Sequence, residues 1–172
     1  MNLFLADPEA PPRPAILTDP NPVRVGCVVL ALDEHKRVLM VDPVYKDGLI
    51  LPGGSMEEDE DPNEAASRHF YAETGLVQDF HQLVVPDWSR RDVIPAGINF
   101  VFWGGRLDRR RADKVKVPPV QESNLRGHHW IDRDELRNVC SKKQANRVTT
   151  ALDCVEAGLL VPFMVDGEPV GR

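Results

Sequence analysis

Residues 51–76 read LPGGSMEEDEDPNEAASRHFYAETGL, in which a glycine pair and an acidic loop lead into a segment with helix signals at both ends. Asp61 is a typical N-cap, Pro62 suits the first helical position, and Glu64 stands where the acid of a capping box belongs. Gly75 fits the position just past the last helical residue. The stretch therefore predicts one helix between Asp61 and Gly75, which follows a loop rich in carboxylates.

Apolar segments on both sides of this helix predict a β-sheet. Residues 24–33 (RVGCVVLALD) are β-branched and apolar, as is typical of a buried strand, and residues 38–45 are predicted to pair with them antiparallel. Further strands are predicted at 49–51, 80–88, 97–107 and 125–131, a helix at 142–158, and a hairpin at Asp166-Gly167. This order indicates an α+β or mixed-sheet sandwich rather than regular βαβ alternation.

Length and composition narrow the class of protein. The chain has 172 residues, 42% of them hydrophobic and 28% charged, which is typical of one soluble globular domain. Residues 1–22 hold six of the 15 prolines and are predicted to form an N-terminal arm, with residues 23–172 as a single domain. No 18-residue apolar run is present, and the N-terminus lacks the basic start of a signal peptide. We therefore expect a cytoplasmic protein with no membrane partner.

Charge and cysteine content exclude further classes. The net charge of −6 argues against binding to a nucleic acid polymer. The three cysteines are widely spaced without a CxxC pattern, so we expect reduced thiols rather than a disulfide framework or a zinc cluster. Residues 106–116 (RLDRRRADKVK) are net positive, although the whole chain is net negative. They are interpreted either as a solvated loop or as a cationic rim for an anionic substrate.

The spacing inside residues 54–76 carries a family resemblance. Seven residues match the Nudix box G-x5-E-x7-R-E-U-x-E-E-x-G-U, where U is a bulky apolar residue, without an insertion: Gly54, Glu60, Arg68, Phe70, Glu73, Gly75 and Leu76. The lead-in Leu51-Pro52-Gly53 also matches, and Trp130-Ile131 with Glu135-Leu136 is similar to the Trp strand and following helix start of the family. The chain thus resembles the Nudix hydrolases over residues 23–158.

The resemblance implies a fold and a chemistry. It implies an α/β/α sandwich with a mixed sheet, and hydrolysis of a nucleoside diphosphate linked to another moiety or of a related organic diphosphate. In the family, box carboxylates bind Mg²⁺ that bridges the diphosphate and helps to activate water. By position, Gly54, Glu60, Arg68 and Gly75 correspond to the structural part of the box, and Glu73 and the carbonyl of Gly53 correspond to metal ligands.

Two departures from the box weaken the implied metal site. His69 and Ala72 stand where the family has glutamates, so Mg²⁺ affinity is expected to fall, and Mn²⁺ or Zn²⁺ are alternatives. Glu122 is a candidate distal acid for catalysis and metal binding, although Asn124 is an alternative match for that position. His69 has three interpretations: a general base, a ligand for a softer ion together with Glu73 and His128 or His129, or a drifted residue.

Candidate substrate contacts lie outside the box. Trp88 is a candidate for stacking, and Arg90, Arg91 and Arg106 are candidates for binding the distal phosphate. The predicted partner is a small-molecule diphosphate, and a homodimer is a further expectation because dimers are common in the family. The competing functions are a catalytically inactive domain that senses a nucleotide-like ligand, and altered chemistry on a diphosphate.

Overall fold

A seven-stranded mixed sheet forms the centre of the computed structural model, which describes residues 23–90, 95–166 and 168–171. The strands of this sheet are β1 (Arg24–Leu32), β2 (Val38–Pro43), β3 (Gly53–Ser55), β4 (Gln82–Ser89), β5 (Gly97–Arg106), β6 (Leu125–Ile131) and β7 (Val161–Pro162). Their order is β6-β2-β1-β5-β4-β7, with β3 also paired to β1. β1 runs parallel to β5 but antiparallel to β2 and β3, which makes the sheet mixed.

Four α-helices accompany the sheet within the described residues. They are α1 (Pro62–Thr74), α2 (Arg109–Ala112), α3 (Leu136–Val139) and α4 (Lys142–Glu156), with two 3₁₀ turns at Pro119–Gln121 and Arg133–Glu135. A separate hairpin joins β8 (Met164–Val165) to β9 (Glu168–Pro169), on either side of the predicted turn at Asp166. The predicted N-terminal arm, residues 1–22, lies outside the described residues, as do Arg91 and Gly167.

Alternate residues of β1 face two different cores. Val29 and Ala31 pack with Phe70 of α1 on one face of the sheet, whereas Leu30 and Leu32 belong to the core that α4 covers on the other. Because side chains alternate along a strand, burial on both faces explains the unbroken apolar run in the sequence. The sheet therefore lies between two helical layers, which confirms the expected α+β sandwich.

The ends of α1 follow the local signals. The Glu64 carboxylate accepts a hydrogen bond from the Asp61 amide at 3.0 Å, as a capping box requires. At the other end Gly75 adopts a left-handed conformation with φ 72° and donates its N–H to the Tyr71 carbonyl. The capping residues thus set the helix at Pro62–Thr74, in the predicted position.

Two segments differ from the sequence-based expectation. Residues 49–51 do not form a strand; Ile50 makes a single bridge to Val41, and the strand begins two residues later at the glycine pair of β3. Within residues 106–116, Asp108 caps α2 by accepting the Arg111 amide at 2.8 Å, and the Arg111 guanidinium binds Gln78 at 2.8 Å. The segment therefore contains a short capped helix, and five of its six cations remain exposed, as in the solvated interpretation: Arg106, Arg109, Arg110, Lys114 and Lys116.

Within the described residues, no helix combines the length and the apolar character that crossing a membrane requires.

Candidate functional site

The acidic loop before α1 is held to the helix by one arginine. Arg68 donates from Nε to Glu60 Oε1 at 2.6 Å and from Nη2 to Glu60 Oε2 at 2.7 Å. The Glu57 amide adds a hydrogen bond to Oε2 of Glu60 at 3.1 Å. The hydrogen bond from Arg68 lowers the pKa of Glu60 to about 2, so the carboxylate stays charged through the neutral range. The loop therefore has a fixed, ion-paired attachment.

Loss of this ion pair gives a testable change in stability. We expect Glu60→Gln to lower the free energy of unfolding by about 1–2 kcal/mol at pH 7, a value discounted for solvent because the Arg68 side chain is 37% exposed. The folded pKa lies below the ordinary value of 4.5, so the stabilisation is present above pH 4.5 and is lost towards pH 2. Urea titrations between pH 7 and pH 2.5 measure the difference between the two proteins.

Glu58→Gln is the matched control, because Glu58 is an exposed acid of the same loop. We expect this control to change stability by less than about 0.5 kcal/mol. A Glu60→Gln effect that stays constant with pH, or that equals the control, would contradict the assigned ion pair.

His69 lies against the glycine pair. Its Nε2 is 2.9 Å from the Ser55 carbonyl oxygen, and its ring covers Gly54 so closely that a Cβ added there would lie 2.3 Å from ring carbon Cε1. Because a carbonyl only accepts hydrogen bonds, Nε2 carries the proton in this arrangement. His69 thus links α1 to β3, and this nitrogen is occupied as a donor.

The close contact between Gly54 and His69 predicts a coupled mutational effect. Gly54→Ala is expected to destabilise the protein by about 1–3 kcal/mol, because the added methyl group displaces the imidazole. Combining it with His69→Ala is expected to cost less than the sum of the two single changes. Gly127→Ala is the control, since a Cβ there meets nothing within 4 Å. Denaturant unfolding measures all four variants, and strict additivity would count against the contact.

Glu73 is the carboxylate that the box helix keeps on this side. Its Oε2 accepts the Gly53 amide at 2.9 Å, while burial raises the pKa of Glu73 to about 7 against the opposing effect of that hydrogen bond. Tyr45 lies close by: burial, and then the charge of Glu73, raise the pKa of its phenol. The hydrogen bond to Gly53 therefore places the Glu73 carboxylate at the start of β3.

The side chains near Glu73 do not fit a resident magnesium site. Among the described residues there is no group of three His, Cys, Asp or Glu side chains that could hold a metal ion. Glu122 is exposed at the end of the 3₁₀ turn that packs against α1, and His129 is exposed on β6. Mg²⁺ is usually bound through one or two carboxylates together with phosphates of the substrate. One carboxylate is compatible with an ion that arrives on a ligand, not with a site of the protein's own.

A cavity of about 470 Å³ opens beside β3. It lies between the sheet and the start of α4, and the loop at residues 45–51 closes one side. Four cationic side chains and one carboxylate line it: Arg24, Lys46, Lys143, Arg147 and Asp47. The glycine pair and Ser55 form another part of the wall, so the cavity adjoins the backbone that Glu73 contacts. This arrangement suits an anionic ligand next to the box.

The substrate candidates from the sequence lie elsewhere in the structure. Trp88 lines a neighbouring cavity of about 450 Å³, which shares Lys143 and Arg147 with the first. Arg106 lines a cavity of about 340 Å³ beside Arg133. Arg90 is exposed just after β4 and outside the lining of the cationic cavity.

The sequence did not predict the cations of the main cavity, because these residues come from separate segments of the chain. The one local signal was the i,i+4 pair Lys143 and Arg147, which share a face of α4 near its first turn.

This fold occurs in known proteins. The MutT protein from Methanosarcina mazei Go1 superimposes with a TM-score of 0.64 at 17% identity, covering 80% of this chain and 96% of that one. Residues 20–152 match the family model described as NUDIX domain. The chain belongs to the NUDIX family. NUDIX hydrolases generally use divalent metal ions such as Mg²⁺.

Two curated relatives match different lengths of this NUDIX chain. The phosphatase NudJ of Escherichia coli O1:K1 / APEC is 26% identical over 150 residues, which is 85% of this chain and 90% of the relative. Human diphosphoinositol polyphosphate phosphohydrolase 2 is 39% identical over 54 residues, or 31% of this chain. In that second match the chain spans only 30% of the length of the relative.

Proposed function

We propose that this NUDIX domain is a pyrophosphohydrolase acting on a nucleoside diphosphate linked to another moiety, or on a related organic diphosphate. The observation that carries the proposal is the position of Glu73, bonded to the Gly53 amide at 2.9 Å, beside a cavity with four cationic side chains. Phosphate binding and proton acceptance are the two functions that hydrolysis of a diphosphate needs, and both groups meet at β3. The name of the human relative, a phosphohydrolase, agrees with this reaction class.

The reaction assigns a role to each group. The oxygen of a water molecule attacks one phosphorus atom, and the bridging P–O bond breaks. The Glu73 carboxylate accepts the proton that the water loses, and the departing phosphate takes the electron pair of the broken bond. Arg24 faces the cavity as a cation and neutralises the charge that develops on the phosphate oxygens. Glu60 and Arg68 keep the loop in place and contact no ligand in this proposal.

A divalent ion enters the reaction as part of the substrate. Because the chain offers one carboxylate here, a Mg²⁺–diphosphate complex is the form of substrate that suits the site. We therefore expect turnover to rise with the concentration of the Mg²⁺–diphosphate complex. It is not expected to follow the filling of a metal site on the free protein.

A panel of organic diphosphates tests the proposal. Wild-type protein is incubated with nucleoside diphosphate sugars, dinucleoside polyphosphates and inorganic pyrophosphate, each with Mg²⁺, Mn²⁺, Zn²⁺ or EDTA, and products are separated by ion-exchange chromatography. Release of two phosphate-bearing products from at least one organic diphosphate is the expected result. Absence of cleavage across the panel with every metal would overturn the proposal.

A second candidate function is a non-catalytic NUDIX domain that binds a nucleotide-like ligand. His69 favours it, because this residue takes the place of a box carboxylate and its Nε2 is occupied by the Ser55 carbonyl. The same panel separates the two functions. A ligand that raises the melting temperature by several degrees, with no product under any condition, would support the binding function instead.

A further inference from the structure

We propose that the cavity next to β3 selects diphosphates that carry an additional phosphate group, and that Lys46 and Lys143 bind this group. The inference rests on the proposed function and adds the class of substrate. It starts from a difference among the four cations of the cavity: two are held by neighbouring side chains and two are not.

The two arginines have partners within the fold. Arg147 donates from Nε to Asp87 Oδ2 at 2.7 Å and from Nη1 to Gln144 at 3.0 Å. Arg24 donates to the amide oxygen of Asn99 at 3.1 Å, a neutral partner that leaves its charge in place. Nε of Arg24 is buried without a hydrogen-bond partner in the described residues. Neighbouring side chains therefore fix the position of both arginines. Arg24 keeps its positive charge, because its partner Asn99 is neutral.

The two lysines have no carboxylate partner among the described residues. Lys143 is exposed in the first turn of α4, and Lys46 lies in the turn after β2 with its Nζ 5.7 Å from the centre of the Tyr45 ring. Asp47 is the only acid among the described residues that line the cavity. Two unpaired lysines match the double negative charge of a phosphate group better than the single charge of a carboxylate.

Mutual repulsion among the cations supports the binding of a phosphate group in this cavity. Burial lowers the pKa of Lys46 first, and the charges of Arg147 and Arg24 lower it further. A group of cations that repel one another is stabilised when an anion binds between them. The amino-terminal end of α4, a helix of 15 residues, adds positive potential at the same wall.

The rest of the wall favours a polar ligand. Ser89 and Asn99 are buried polar residues of the lining that are joined by a hydrogen bond from Asn99 Nδ2 to Ser89 Oγ at 3.0 Å, and Ser141 and Gln144 stand at the start of α4. Among the described residues of the lining, Tyr45 is the single aromatic side chain. Hydroxyl and amide groups suit the hydroxyls of a sugar between two phosphates.

Matched pairs of diphosphates test the charge selection. Coenzyme A and dephospho-coenzyme A differ by one phosphate, as do NADP⁺ and NAD⁺, and all four contain a diphosphate. We measure their binding to the wild-type protein by calorimetry in EDTA, so that turnover does not interfere. In at least one pair, the member with the extra phosphate is expected to bind at least about tenfold more tightly, a ratio that shrinks as salt is added.

Charge-removing variants identify the residues. The double variant Lys46→Met/Lys143→Met is expected to reduce the tenfold preference to less than about threefold, with the affinity for the member lacking the phosphate nearly unchanged. Lys142→Met is the matched control, because Lys142 is exposed in the same helical turn but does not line the cavity. We expect this control to keep the wild-type preference.

The outcomes separate the two proposals. Equal binding of both members in each pair, or a preference that survives in the double variant, overturns the charge selection while the proposed hydrolase stands. Tripolyphosphate and pyrophosphate are included as probes without an organic part. If no organic or inorganic phosphate compound binds, both proposals fail together.

Discussion

Glu73→Gln is expected to slow hydrolysis of a diphosphate by about 10²–10⁴-fold, the range typical for loss of a general base. Glutamine has the size of glutamate, and its carbonyl oxygen still accepts the Gly53 amide that lies 2.9 Å from Oε2 in the native site. The variant therefore keeps the contact with β3 but no longer accepts a proton or attracts a cation. Single-turnover rates on the best diphosphate of the panel measure the loss.

Binding measurements distinguish a chemical role of Glu73 from a structural one. We expect the affinity of Glu73→Gln for the same diphosphate in EDTA to stay within about threefold of wild type, because the cations of the cavity are untouched. Glu58→Gln serves as the control, as an exposed acid of the preceding loop. A Glu73→Gln rate within threefold of wild type would place the proton acceptor elsewhere.

Restoring the two missing box carboxylates is expected to create a magnesium site. Residues 69, 72 and 73 are spaced so that they share one face of α1, so His69→Glu/Ala72→Glu places three carboxylates together. We expect Mg²⁺ to bind this double variant at least about 10–100-fold more tightly than wild type, since even the loss of an outer-shell partner costs that much in metal affinity. Calorimetric titration with Mg²⁺ measures the change.

The control for this gain is His69→Gln/Ala72→Gln, which has side chains of the same length without charge. It is expected to bind Mg²⁺ no better than wild type. If the carboxylate variant also shows no gain, residues 69, 72 and 73 do not converge on one ion, and glutamates at positions 69 and 72 are not sufficient for a magnesium site.

Local signals made the box helix predictable from the sequence. Asp61 and Gly75 act within one turn of the residues they cap, so no tertiary information was needed to place α1. The apolar run of β1 was equally clear, because this strand is buried on both faces. The predicted strand at 49–51 was wrong because an apolar triplet does not reveal which backbone lies beside it. Gly53 and Gly54, which have no side chains, pair with β1 instead.

The cationic cavity depended on packing that the sequence does not encode locally. Arg24 comes from the start of β1, Lys46 from the turn after β2, and Arg147 from α4, and only the closed sandwich brings them together. The candidate substrate contacts were predicted from residue type alone, as aromatic or basic side chains. In the structure, Trp88 and Arg106 line other cavities. A cluster of like charges from distant segments can be recognised only when the burial and the hydrogen-bond partners of each residue are known.

Isotope incorporation tests the central claim, hydrolysis of a diphosphate at phosphorus, most directly. Wild-type protein is incubated with its best diphosphate in H₂¹⁸O, and the products are examined by ³¹P NMR. The proposal predicts one ¹⁸O atom in one of the two phosphate-bearing products, at a rate that Glu73→Gln lowers by about 10²-fold or more. Label in a product that carries no phosphate, or label that appears equally fast with Glu73→Gln, would contradict it.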